Sequence, residues 1–177
     1  MNRKRLAPLL VLTLALASCA TEPDDGSTPK QGVSDIDPAG YYAVVQPVFE
    51  RRCGSTDCHG QLPRGLRVYG ASGLRLDGAT GAPRLRGDET VPTTHDEARA
   101  TYVSILGLQP ELTDALARKS PRTPDDAYTL LVLTKPLALE RHRPGAALLK
   151  GEPAERCIVS WLVGSVDAAS CSAGALP

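Results

Sequence analysis

Residues Cys53-Gly54-Ser55-Thr56-Asp57-Cys58-His59-Gly60 set two thiols close together in the chain and place an imidazole directly behind the second. Few segments restrict a fold so tightly, because every chemistry open to this one requires the backbone to turn back on itself. Cys53 and Cys58 can close a six-residue disulfide ring. With His59 and a distant histidine they can furnish a zinc site. Alternatively the two thiols can each add to a vinyl group of a haem, with the adjacent His59 held under the iron. The usual spacing for that last use has two residues between the cysteines, and here there are four.

The compartment decides which chemistry is permitted, and the N-terminus indicates the compartment. Arg3, Lys4 and Arg5 precede an apolar run from Leu6 to Ala17, too short to span a bilayer as a helix. The run ends in Leu16-Ala17-Ser18-Cys19, which resembles the bacterial lipobox; the resemblance implies cleavage before Cys19 and its acylation. Residues 1–18 are thus expected to be a lipoprotein signal peptide. Multiple acyl chains on Cys19 would anchor the chain stably to a lipid bilayer. By likeness to enteric sorting signals, Ala20 after the cysteine favours the outer membrane, with the domain facing the periplasm or cell surface. The environment is oxidising, so disulfides are allowed and free thiols for zinc are contested.

Residues 19–37 are polar and rich in Pro, Gly and Ser, and read as a lipidated flexible tether. The folded domain is expected over 38–177, long enough for one modest core. Loss of the signal removes three basic and no acidic side chains, leaving 17 basic against 20 acidic, a net of −3. That balance excludes the basic excess of a nucleic-acid binder. It also lacks the lysine ring of a soluble shuttle that docks on acidic partners, which leaves a membrane-near redox partner as the expectation.

Periodicity predicts a mostly α domain with long loops, short helices and one short β-hairpin. Gly40 to Arg52 puts Tyr41, Tyr42, Val45, Val48 and Phe49 on one helical face, with Pro47 demanding a kink or break. Leu66 to Leu76 alternates around a glycine-containing turn and suggests the hairpin; Asp77 to Val91 reads as loop. Thr94 to Glu97 fits a capping box opening a helix to about Leu108. Further helices are expected over Pro110 to Arg118, Pro124 to Thr134 and Glu152 to Val163. Cys157 lies in the last of these and Cys171 in the tail beyond; a disulfide folding the tail back is the simplest use of this pair.

Taken in order, Phe49 to Gly60, Lys135-Pro136-Leu137, His142 with Gly145, and Trp161-Leu162-Val163-Gly164 resemble the cytochrome-c-like domains of exported delta-proteobacterial and planctomycete proteins. The resemblance covers about Tyr41 to Gly164, with a wider cysteine spacing and with Arg143-Pro144 interrupting the His-Gly element. It implies a covalent haem c on Cys53 and Cys58, His59 as an axial ligand, and an electron-transfer role. The sole methionine is Met1, lost with the signal, so His/Met ligation is excluded. His142 is the favoured second iron ligand; His95 sits in the capping box and reads as a solvated helix-start residue. The alternative is a disulfide-stapled envelope lipoprotein without haem, acting as a structural or interaction module. Catalysis has little support, since no nucleophile is paired with a recognisable base and the glycine-rich stretch Gly65 to Gly87 lacks the context of a phosphate loop.

Overall fold

The computed structural model describes residues 36–85, 90–143 and 145–176. The expected signal peptide, Cys19 and nearly all of the expected tether lie outside the described residues. Among the described residues no helix is long and apolar enough to cross a membrane.

The protein is mostly helical with one two-stranded antiparallel sheet. Helix α1 (Pro38–Gly40) runs through a π-helical turn (Tyr41–Val45) into α2 (Gln46–Cys53). The break expected at Pro47 takes this form. Proline has no N–H to offer the preceding turn, and the chain widens just before it, with Gln46 N–H donating five residues back to Tyr41 O. The fold begins before Pro38: Ile36 is fully buried, and its carbonyl accepts from Trp161 Nε1 at 3.0 Å.

Strand β1 (Leu74–Leu76) pairs with β2 (Pro83–Leu85), Arg75 opposite Arg84. The hairpin therefore lies further along than the Leu66 to Leu76 alternation suggests, and its second strand falls in the stretch read as loop. Around residues 70–73 the chain makes only an isolated parallel bridge, between Tyr69 and Leu74. Glu97 holds β1 in place. Its carboxylate accepts from Arg75 Nε at 2.7 Å and from Leu76 N–H at 3.0 Å, while closing the capping box at Thr94.

Helices α3 (His95–Leu106), α4 (Pro110–Arg118), α5 (Pro124–Ala127), α6 (Leu131–Thr134), α7 (Pro153–Leu162) and α8 (Ala168–Gly174) complete the chain. The helix expected over Pro124 to Thr134 is interrupted at Tyr128 to Leu130. There the Tyr128 hydroxyl leaves its helix to bond Glu155, and Leu130 is extended. Helix α8 was not foreseen. It lies against α7, and Cys157 and Cys171 form a disulfide between them.

Aromatic residues are only 4% of the sequence, yet most meet at one point. The Tyr41 ring has Tyr42, Phe49, Tyr102 and Trp161 around it, with centroids 5.1 to 6.1 Å away. This cluster fixes α2, α3 and α7 against each other and so sets where the C-terminal end of α2 emerges.

Candidate functional site

The end of α2 is where the site begins. Cys53 is its last residue, and Gly54 caps it. The chain then coils tightly: Cys58 N–H and Gly60 N–H both donate to Ser55 O, and His59 N–H donates back to Cys53 O at 2.9 Å. Gly60 is indispensable to this coil, because a Cβ there would stand 2.1 Å from Gly54 O. His59 is further held by Val68 N–H on its carbonyl at 2.9 Å, and its Nδ1 pairs with Leu66 O at 3.1 Å.

A second segment arrives from the far end of the sequence. Ala147 and Leu148 N–H donate to Pro136 O at 2.8 and 3.0 Å, closing residues 136–148 into a loop. Arg52 ties that loop to α2 by donating to Ala147 O at 3.2 Å and to Glu152 at 2.8 Å. Within the loop, His142 Nδ1 pairs with Gly145 O at 2.8 Å.

The result is a cavity of about 350 Å³ that has Cys53, Cys58, His59 and His142 in its walls. The two imidazoles lie with centroids 6.2 Å apart and planes within 11° of parallel. Both spend Nδ1 on a backbone carbonyl, the arrangement that fixes orientation in metal-binding histidines and leaves Nε2 free. Two metal–imidazole bonds of about 2.0 Å on opposite sides of one ion, with each ring centre about 1 Å behind its nitrogen, bring two centres about 6 Å apart. The observed centroid separation is of that size.

Burial lowers the His59 pKa below the ordinary histidine value. The bond to Leu66 opposes this, and the nearby His142 and Arg64 lower it further, so the ring is neutral and able to ligate at neutral pH. Burial also pushes the Cys53 thiol up to about 12, with Cys58 adding to the rise and Arg52 opposing it. Cys53 and Cys58 both carry free thiols, so the six-residue ring that the sequence also allows is not closed. Among the described residues no three His, Cys, Asp or Glu side chains converge to hold a metal ion by themselves, which leaves the zinc reading without a ligand set.

A haem needs less from the protein, since its porphyrin supplies four ligands and only the axial positions remain. The rest of the wall suits it: Phe49, Leu66, Leu108, Leu131 and Val132 are apolar, and arginines stand among them for its carboxylates. Lys135 and Pro136 of the Lys-Pro-Leu element also line the cavity. Trp161 does not; it belongs to the aromatic cluster. His95 is exposed at the start of α3, packed on the Tyr42 ring at 4.7 Å and absent from the cavity wall.

Sequence reasoning missed the basic lining. Arg64, Arg141 and Arg143 reach the cavity, and the direct flanking of His142 by two arginines was the available signal. No protein-family model, curated protein or solved structure matches this chain.

Proposed function

We propose that this protein is an exported lipoprotein, anchored to the bilayer through acylated Cys19, whose cytochrome-c-like domain carries a covalent haem c and transfers electrons. One observation carries the reading: the near-parallel His59 and His142 rings, 6.2 Å apart, across a cavity that also contains two free thiols. In this reading Cys53 and Cys58 would hold the haem through thioethers and His59 would ligate its iron. His142 would supply the other protein ligand, the chain having no methionine beyond Met1. The haem would supply a one-electron couple. The protein's own part is to hold both imidazoles oriented through their Nδ1 bonds and to line the cavity with apolar walls. An envelope location, on the outer membrane, belongs to the same proposal.

Co-expression with haem-maturation machinery, followed by a denaturing gel stained for haem, tests this directly. A stained band that His59→Ala weakens is expected. An unstained band would overturn the proposal and leave a disulfide-stapled envelope module. In a stained protein, His142→Ala should convert the low-spin optical spectrum to a high-spin one; an unchanged spectrum would remove His142 as a ligand.

A further inference from the structure

Residues 66–69 belong to no helix or strand, so their N–H groups must find partners one by one. Those partners alternate between two sides, as they do along a β-strand. On one side Val68 N–H donates to His59 O at 2.9 Å, and Leu66 O pairs with His59 Nδ1 at 3.1 Å. On the other side two hydroxyls of α3 take the N–H groups between. Arg67 N–H donates to Ser104 Oγ at 2.8 Å, and Tyr69 N–H donates to Thr101 Oγ1 at 2.9 Å. The segment is a strap with α3 behind it and His59 in front.

The helix dictates where those hydroxyls stand. The capping box at Thr94 and Glu97 sets where α3 starts, and Tyr102, Ile105 and Leu106 turn to the core. Thr101 and Ser104, three residues apart, then share a neighbouring flank. Thr101 is wholly buried; its hydroxyl donates to Glu97 O at 3.0 Å, which turns its lone pairs toward Tyr69 N–H. Further along, Gln46 Nε2 donates to Tyr69 O at 3.2 Å and Glu50 accepts from Ala71 N–H at 2.8 Å, fastening the far end to α2. Nearer Leu66 the anchor is Ser104. What reaches His59 through the strap is a choice of tautomer. A carbonyl only accepts, so the Leu66 contact requires the imidazole proton on Nδ1 and leaves the lone pair on Nε2.

We propose that Thr101 and Ser104 are positioning residues for His59: by holding the strap from behind, they keep the Leu66 carbonyl on Nδ1 and Nε2 available to a metal ion. That the metal is a haem iron rests on the preceding reading; the hold on the tautomer rests on the hydrogen bonds. Neither hydroxyl lines the cavity.

The test reads imidazole nitrogens by NMR in the ¹⁵N-labelled full chain, expressed without haem-maturation machinery and kept in non-ionic detergent. The chain has three histidines, and His95→Gln and His142→Gln assign them by elimination. At neutral pH wild-type His59 should carry its proton on Nδ1. In Thr101→Val/Ser104→Ala the ratio of Nδ1–H to Nε2–H forms should fall about fivefold, the worth of one hydrogen bond. Thr101→Ser/Ser104→Thr keeps both hydroxyls and should restore it. Ser160→Ala removes a hydroxyl that accepts from Asp167 N–H at 2.9 Å elsewhere in the fold, and should leave His59 unchanged. Far-UV circular dichroism checks folding; if the double variant fails it, Ser104→Ala alone should shift the ratio in the same direction. In the haem-loaded chain the double variant should raise the midpoint potential, because a ligand without its Nδ1–H acceptor donates less to oxidised iron. A wild-type His59 protonated on Nε2, a tautomer unchanged in the folded variants, or one moved equally by Ser160→Ala would overturn the proposal. The tautomer is read without haem, so the two readings fail separately. A shift in a chain that never stains for haem would overturn the haem reading and support the hold by α3; an unchanged tautomer in a chain that stains would do the reverse.

Discussion

Glu97 performs two tasks with one carboxylate: it caps α3 and neutralises Arg75 inside the protein. Both side chains are nearly inaccessible, and Arg75 donates its other N–H groups to Val91 and Pro92 carbonyls at 2.8 and 3.1 Å. Burial alone would raise the Glu97 pKa. The Arg75 bonds and the Thr94 and Leu76 N–H groups outweigh it and bring the pKa below the ordinary glutamate value. A carboxylate whose pKa is depressed on folding stabilises the protein above its unfolded value, and the contribution is lost as pH falls through the folded one. Glu97→Gln should therefore cost about 3 kcal/mol at neutral pH by urea denaturation, leaving Arg75 buried and uncompensated. Below about pH 4 the wild-type advantage should shrink. Gly60 is a second residue of this kind. Gly60→Ala should disrupt the coil between Cys53 and His59, seen, on the proposed haem reading, as loss of haem stain at unchanged expression. The sequence marks Gly60 only as the last letter of a motif; its physical reason, the Gly54 carbonyl 2.1 Å from any Cβ, exists only once the chain is folded.

At the scale of elements, α8 is held by chemistry more than by propensity. Its sequence, Ala-Ala-Ser-Cys-Ser-Ala-Gly, has no apolar stripe, which is why periodicity passed over it. The start signal was Asp167, whose carboxylate accepts from Ser170 N–H at 3.0 Å. The Cys157–Cys171 bond closes a short loop, with a sequence separation of 14. Cys157→Ser/Cys171→Ser should lower the unfolding free energy by about 3 kcal/mol in urea, and reductant should then have no further effect. Gly174→Val tests the same contact by shape. A Cβ at 174 would lie 2.6 Å from Ala154 Cα, so the variant should lose about 1–3 kcal/mol. Helices with a capping box or a leading proline, such as α3, α4 and α7, were legible from end to end. The hairpin was not, because its second strand, Pro83–Leu85, is exposed on every residue and carries no alternation to read.

For the molecule as a whole, half of the candidate site is local and half is not. Cys53, Cys58 and His59 announce themselves in one segment. That His142 lies near His59 depends on Pro136 and Arg52 holding a loop about a hundred residues away along the chain, and no local pattern encodes that meeting. Arg52→Ala should therefore loosen the second imidazole without touching either. On the proposed haem reading the expected outcome is an unchanged haem stain with a partly high-spin spectrum, which optical titration would quantify.

The aromatic cluster has an optical consequence. Trp161 is the one tryptophan of the chain, wholly enclosed beside Phe49, and Phe49 also forms part of the cavity wall. Its emission should be that of an indole shielded from water, and a tetrapyrrole seated beyond Phe49 would drain that emission by energy transfer. The protein thus contains its own gauge of occupancy: a bright blue-shifted band for the empty domain, a dim one for the loaded domain, and a red-shifted band only when the fold is lost.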